Sequence, residues 1–283
     1  LDLLLGNHET RNTKKTANLK YFLHSWLPYK ISLVALLIIK QMIEIRNLHK
    51  TYGHKKVLGG VELEIRTGET MVIMGRSGCG KSVLLRHIIG LARPDRGSVT
   101  IDGTGITSIR KHELYALRRR FGMLFQSSAL FDSMTVAQNV GLGLKEHSDL
   151  DDASIAGTVA EKLALVGMSG TEKLMPSELS GGMKKRVGLA RALAMDPAYI
   201  LYDEPTTGLD PITADKINDL MMSLAQKLSL TSIAVTHDMV SANKIADRIA
   251  MLHQGRIIFC GTPEQIKKSP DQNIQQFIRG EAD

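Results

Sequence analysis

From Met42 onward, apolar and polar positions alternate through Ile43, Ile45 and Leu48, which predicts a half-buried strand over residues 42–47. Two further strand-like runs, residues 61–66 and 70–74, are separated by the turn signal Thr67, Gly68. A glycine-rich stretch then opens an apolar helical pattern over residues 81–91, closed by Ala92, Arg93 and Pro94, and residues 97–102 read as another strand. From about 136 to 194 the apolar spacing is mainly helical, as where Ile155, Val159, Leu163 and Val166 share one face. Residues 199–202 and 232–235 are continuous apolar runs of the kind buried in parallel sheets, each followed by a helix-like segment. This alternation predicts an α/β core with an inserted helical subdomain, about residues 127–195. No internal repeat, low-complexity tract or interdomain linker interrupts it.

Composition changes this picture little. Hydrophobic residues make up 43% and charged residues 23% of 283 positions, enough to bury a core without disulfide or metal staples. Cys79 and Cys260 give no disulfide framework and suit a reducing compartment. Charge changes the picture more. The net charge is +7, and most of the excess precedes Met42, on Arg11, Lys14, Lys15, Lys20, Lys30 and Lys40. A nucleic-acid-binding surface on the remainder is therefore not expected. The stretch before Met42 is aperiodic and begins with Leu1. Residues 1–41 are expected to be an upstream extension without stable order, and residues 42–283 the functional domain. The competing reading makes residues 21–39 a membrane-surface anchor. The longest apolar run, residues 31–39, is less than half the about 20 residues that a spanning helix needs. No small-residue cleavage site follows it, so the body is expected to stay in the cytosol.

Two motifs carry chemistry on their own. GRSGCGKS, from Gly75 to Ser82, follows a strand and opens a helix. Backbone N–H groups of Gly75, Ser77, Gly78, Cys79 and Gly80 can close around a phosphate without side-chain obstruction, helped by the helix dipole. Lys81 can neutralise the β- and γ-phosphates of ATP, and the Ser82 hydroxyl can ligate Mg²⁺. The run AYILYDEP delivers two acids at the carboxyl end of a buried strand. Asp203 is expected to hold Mg²⁺ directly or through water, and Glu204 to act as general base on the attacking water. Together they predict a P-loop NTPase.

Between these motifs lies LSGGMKKR, residues 179–186, which resembles the signature motif of ABC-type ATPases. The resemblance implies a RecA-like core with an antiparallel β subdomain and the inserted helical subdomain. It also implies a head-to-tail dimer in which Ser180, Gly181 and Gly182 complete the γ-phosphate shell of the second copy's ATP. Met183 stands where that motif usually has glutamine, a change that leaves the amide and hydroxyl donors intact. By the same resemblance Gln126 contacts Mg²⁺ and the lytic water, and His237 is the switch histidine at the γ-phosphate. Asp210 lies in the loop that crosses the dimer interface. Tyr52 stacks on adenine; its alternative is plain packing.

The segments FQSSALFDSMTVAQNV, LKEH and KLMPSELSGGM are similar to the ATPase of Mla/Mkl-type phospholipid transport systems. That likeness implies two ATPases working with two transmembrane permeases and an MCE-domain lipid-binding protein, at the cytoplasmic face of the inner membrane. Leu130, Phe131 and Met134 would receive the permease's coupling helix; alternatively they pack the helical subdomain. The rival readings are an importer for another small substrate, a soluble ABC ATPase acting on DNA or ribosomes, and a regulatory ATP-binding protein. The soluble class is disfavoured because no heptad run lies between Lys81 and Asp203. The regulatory class is disfavoured because Glu204, Gln126 and His237 are all present.

Overall fold

The computed structural model describes residues 42–281. The expectations for residues 1–41, including the alternative anchor, lie outside the described residues.

Strand β1 (Met42–Tyr52) pairs antiparallel with β2 (Lys55–Arg66) on one side and β4 (Arg96–Ile101) on the other, and β4 with the short β5 (Thr104–Gly105). β1 runs further than its alternation suggests. A register shift between Ile45 and Leu48, with Asn47 at φ 46°, breaks the period of two. The bulge lets Ile43, Ile45 and Leu48 all reach the core.

The second sheet has the order β10 (Arg256–Gly261), β9 (Arg248–His253), β3 (Thr70–Met74), β8 (Thr231–Thr236), β7 (Tyr199–Asp203), β6 (Phe121–Leu124). All strands but β10 run parallel. Their continuous apolar character has a simple cause: successive residues feed different cores. Met71 and Ile73 of β3 join the cluster that holds Ile43, Ile65 and Leu84, whereas Val72 and Met74 join the one that holds Val140, Leu163 and Val187. Tyr199 and Leu201 of β7 part from Ile200 and Tyr202 in the same way. A strand covered on both faces has no polar side to alternate.

Helix α1 (Lys81–Ile88) stops short of residue 91 because Gly90 takes φ 67°, where a Cβ would stand 2.8 Å from Leu114 Cδ1. A short α2 (Lys111–Arg118) follows. The helical stretch expected over 136–194 is three helices, α3 (Val136–His147), α4 (Asp152–Leu165) and α5 (Gly181–Leu193), inserted between β6 and β7. Thr135 with Gln138, Asp151, and Ser180 cap them at their first turns, and a 3₁₀ turn at Pro176–Glu178 leads into α5. Then come α6 (Pro211–Leu228), α7 (Met239–Ile245), α8 (Pro263–Lys267) and α9 (Gln272–Arg279). No helix among the described residues is long and apolar enough to cross a membrane.

The register positions the chemistry. Met74 lies beside Thr236, Asp203 beside Val235, and Leu124 beside Tyr202, so β3, β8, β7 and β6 end along one edge. In open parallel sheets ligands bind just beyond that edge.

Candidate functional site

Four loops leave the carboxyl edge. The loop after β3 is pressed so tightly that a Cβ on Gly75 would lie 2.3 Å from Leu252 O and 2.7 Å from Cys79 Sγ. Gly80, at φ 111°, turns the chain into α1. Lys81 is nearly buried; its Nζ donates to Gly75 O at 2.8 Å and Arg76 O at 3.2 Å, and stands 3.6 Å from Glu204 Oε1. Ser82 Oγ donates to Asp203 Oδ1 at 3.0 Å. Burial raises the pKa of Asp203, and the bond from Ser82 opposes that shift only in part. Such a carboxylate is one that a cation relieves.

Glu204 sits at φ 49°, a conformation that non-glycine residues hold only under restraint. The restraint is visible: its N–H donates to Val235 O at 3.0 Å, and its Oε2 accepts from Thr207 Oγ1 at 3.2 Å. The same oxygen lies 2.9 Å from His237 Nδ1, in the loop after β8. One carboxylate thus stands between the Lys81 ammonium and the His237 ring.

Lys81, Ser82, Glu204 and His237 line a cavity of about 1040 Å³, at the upper end of ordinary ligand sites. Ser77, Gly78, Gly80, Lys81 and Ser82 form one wall, Glu204 and His237 another; Gln126 enters after β6 and Tyr52 from the end of β1. Tyr52 is 47% exposed, with Lys50 Nζ over its ring at 5.3 Å from the ring centre. Gly75, Cys79 and Asp203 do not line the cavity. Gly75 and Cys79 form the back of the loop, with the Cys79 thiol pushed up in pKa by burial, and Asp203 stands behind Ser82.

Ser180, Gly181, Gly182 and Asp210 do not line it either. The two loops that carry them meet instead, through Leu209 and Thr213. Ser180 Oγ accepts from Met183 N at 3.3 Å to cap α5, and Asp210 Oδ1 from Thr213 N at 3.0 Å to cap α6. A Cβ on Gly182 would lie 2.7 Å from Thr213 Cγ2, and one on Gly181 3.3 Å from Leu209 Cδ2. The serine–glycine loop and the Asp210 loop therefore form one packed unit with two helix amino-termini.

Sequence reasoning missed the cavity's other rim. Phe277, Gly280 and Glu281 line it beside α9, and the Arg76 guanidinium donates to Glu281 O at 2.8 Å. No local signal joins residue 76 to residue 281. Of the apolar trio after Gln126, Leu130 packs against the core, whereas Phe131 is 50% exposed.

Among the described residues no three His, Cys, Asp or Glu side chains could hold an ion by themselves. Ser82 Oγ and Asp203 Oδ1, 3.0 Å apart, are hard oxygen donors of the kind a cation takes when phosphate and water complete its shell.

A phosphate loop at a helix start, an acidic pair at the end of a buried strand and an open cavity between them define a P-loop ATPase. Residues 58–207 match the family model described as ABC transporter. Over 238 residues the chain is 43% identical to the probable ribonucleotide transport ATP-binding protein mkl of Mycobacterium leprae, covering 84% of this chain and 69% of that one. It is 42% identical to the intermembrane phospholipid transport system ATP-binding protein MlaF of Haemophilus influenzae, covering 86% of this chain and 92% of the relative. A dimeric ATP-binding cassette solved in a post-hydrolysis state with ADP and Pi superposes with a TM-score of 0.72 at 34% identity, over 78% of this chain and 98% of the other. The chain belongs to the ABC transporter family and is an ABC ATPase.

Proposed function

We propose that the chain is the ATP-hydrolysing subunit of a transporter that moves phospholipid between membranes, seated on the cytoplasmic face of the inner membrane. Residues 42–283 form the cassette and residues about 127–195 its helical subdomain. Similarity to a phospholipid-transport ATPase over 92% of that relative's length supports the substrate. The observation that carries the dimer is the division of the site. The cavity holds Lys81, Ser82 and Glu204, while Ser180, Gly181, Gly182 and Asp210 form a separate surface on the same chain. A second copy, packed head to tail, brings each surface onto the other's cavity.

The backbone N–H groups of Gly75, Ser77, Gly78, Cys79 and Gly80 grip the β-phosphate, Lys81 neutralises the β/γ pair, and Tyr52 stacks on adenine. Ser82, Asp203 and Gln126 would hold Mg²⁺, whose charge would balance the phosphate oxygens. Gln126 orients the lytic water, and Glu204 takes its proton as the oxygen attacks the γ-phosphorus and ADP leaves. His237, already 2.9 Å from Glu204, supplies a ring nitrogen toward the γ-phosphate. Because Ser180 and Gly182 reach that phosphate from the other copy, closure is favourable only while it is attached, at about 1.5–3 kcal/mol for each charge-assisted bond. Hydrolysis removes the bridge and the pair opens. A transmembrane permease, docked near the exposed Phe131, converts opening and closing into lipid movement, and an MCE-domain protein carries the lipid.

Purification of the protein from its native membranes in mild detergent tests the reading. A permease and an MCE-domain protein that come with it, carrying phospholipid, support it. A permease that binds ribonucleotide instead, as the name of the mycobacterial relative suggests, removes the lipid assignment. The absence of any membrane partner removes transport itself.

A further inference from the structure

We propose that Lys185 is a positioning residue that holds the Gln126 loop and the Glu204 loop to each other from the middle of α5, so that one side chain sets both groups that handle the lytic water. The inference rests on the roles given to Gln126 and Glu204 above. In the sequence Lys185 is the second lysine of MKKR, and nothing local marks it. In the fold it is 5% exposed. Its Nζ donates to Gln126 O at 2.5 Å and stands 3.4 Å from Glu204 O. Burial lowers its pKa, opposed by the charges of Glu204 and Asp203. An ammonium buried on two carbonyl oxygens, rather than on a carboxylate, carries a desolvation cost that those bonds offset, and the bonds tie both backbone segments to one helix.

The rest of the α5 face supports that use. Three residues on, Gly188 lets the helix press in: a Cβ there would lie 2.9 Å from Leu124 Cδ1 and 3.3 Å from Ser128 Cβ. Three further, Arg191 donates from Nη1 to Ala129 O at 2.6 Å and from Nη2 to Ser128 O at 2.7 Å. Ser128 and Ala129 hold φ of 62° and 47°, conformations that non-glycine residues keep only when fixed from outside. Lys185, Gly188 and Arg191, at helical spacing, thus clamp residues 126–129 along one side of α5. The same helix begins at Ser180. A phosphate engaged by Ser180 in the second copy's site therefore acts on a rod whose middle holds this chain's own Gln126 and Glu204. Lys185 is the joint between the two half-sites.

The test compares Lys185→Met, which keeps the stem and loses the donor, with Lys185→Arg, which keeps donors. In the full chain K185M should lower kcat about ten-fold or more while KM for ATP changes less than about two-fold, and K185R should restore most of the rate. Amide hydrogen exchange on nucleotide-free protein gives a readout independent of turnover. Peptides spanning 122–131 and 203–207 should exchange faster in K185M than in wild type, with distant peptides unchanged. Should K185M not fold, Arg191→Ala reads the clamp from its other end and should speed exchange over 126–131. Wild-type exchange and kcat in K185M, or in R191A where that stands in, overturn the inference, as does a K185R as slow as K185M. Gln126→Ala and Glu204→Gln separate the two failures. If both are slow while K185M is normal, this inference alone is lost. If both turn over normally although K185M loosens the loops, the roles of Gln126 and Glu204 are wrong and the catalytic part of the inference is lost with them.

Discussion

Glu204→Gln isolates the proton transfer more cleanly than any other single change. The side chain is 13% exposed, and glutamine has its shape. The bond from Thr207 Oγ1 and the backbone bond to Val235 O both survive, and the φ of 49° costs glutamine what it costs glutamate. The lost interaction is the charge attraction to Lys81 at 3.6 Å; a glutamine carbonyl oxygen in place of Oε2 can still accept from Thr207 Oγ1 and face His237 Nδ1. Lys81 keeps its two carbonyl partners, so the nucleotide-free protein should remain folded. Loss of a general base costs about 10²–10⁴ in rate, which at about 1.36 kcal/mol per decade is roughly 3–5 kcal/mol of barrier. ATP affinity should hold or rise, because a negative charge beside the γ-phosphate site has been removed. Phosphate release at saturating Mg²⁺ and ATP should therefore fall by about 10³, while light scattering shows a dimer that persists with ATP. Turnover within about ten-fold of wild type would refute Glu204 as the base, and a slow variant that never dimerises would refute ATP as the bridge.

Lys81→Ala removes the cation that faces the phosphates, and nucleotide affinity should weaken by about ten- to a hundred-fold; unchanged binding in a fluorescent-nucleotide titration counts against its role. Tyr52→Ala should cost about 1–3 kcal/mol of adenine stacking, read as a higher Kd for ATP with kcat at saturation retained; an unaltered Kd returns Tyr52 to plain packing. Asp203→Asn should separate stability from function. Burial holds the Asp203 carboxyl above the usual range, so the folded state binds its proton more readily than the unfolded chain. Its ionisation then destabilises the nucleotide-free protein above the folded pKa, and that penalty fades as pH falls through the folded and then the unfolded value. D203N should accordingly melt higher than wild type at pH 8, with the difference shrinking towards pH 4, while Mg²⁺-dependent hydrolysis is lost. A lower Tm for D203N at pH 8 contradicts the shift.

How much of this was legible in the sequence depended on range. Lys81, Ser82, Asp203 and Glu204 declare themselves because each lies within a few residues of the strand end that positions it, and parallel register brings those ends together. Ser180 and Asp210 came only through the family resemblance, and the fold adds that they cap α5 and α6. α2 escaped because it has eight residues and Leu117 is the only one buried, too little stripe to carry a period. The extent of β1 was hidden by a bulge that shifts its alternation by one. Lys185 could not be read at all, since burial against Gln126 and Glu204 joins residues 59 and 19 positions away. Glu281 was equally invisible, its bond to Arg76 spanning 205 positions.

That last contact has a practical meaning. Glu281 itself stands at the lip of the cavity, with Phe277 and Arg76. A small environment-sensitive dye at the same point would brighten or dim as the cavity fills, and so record occupancy in real time.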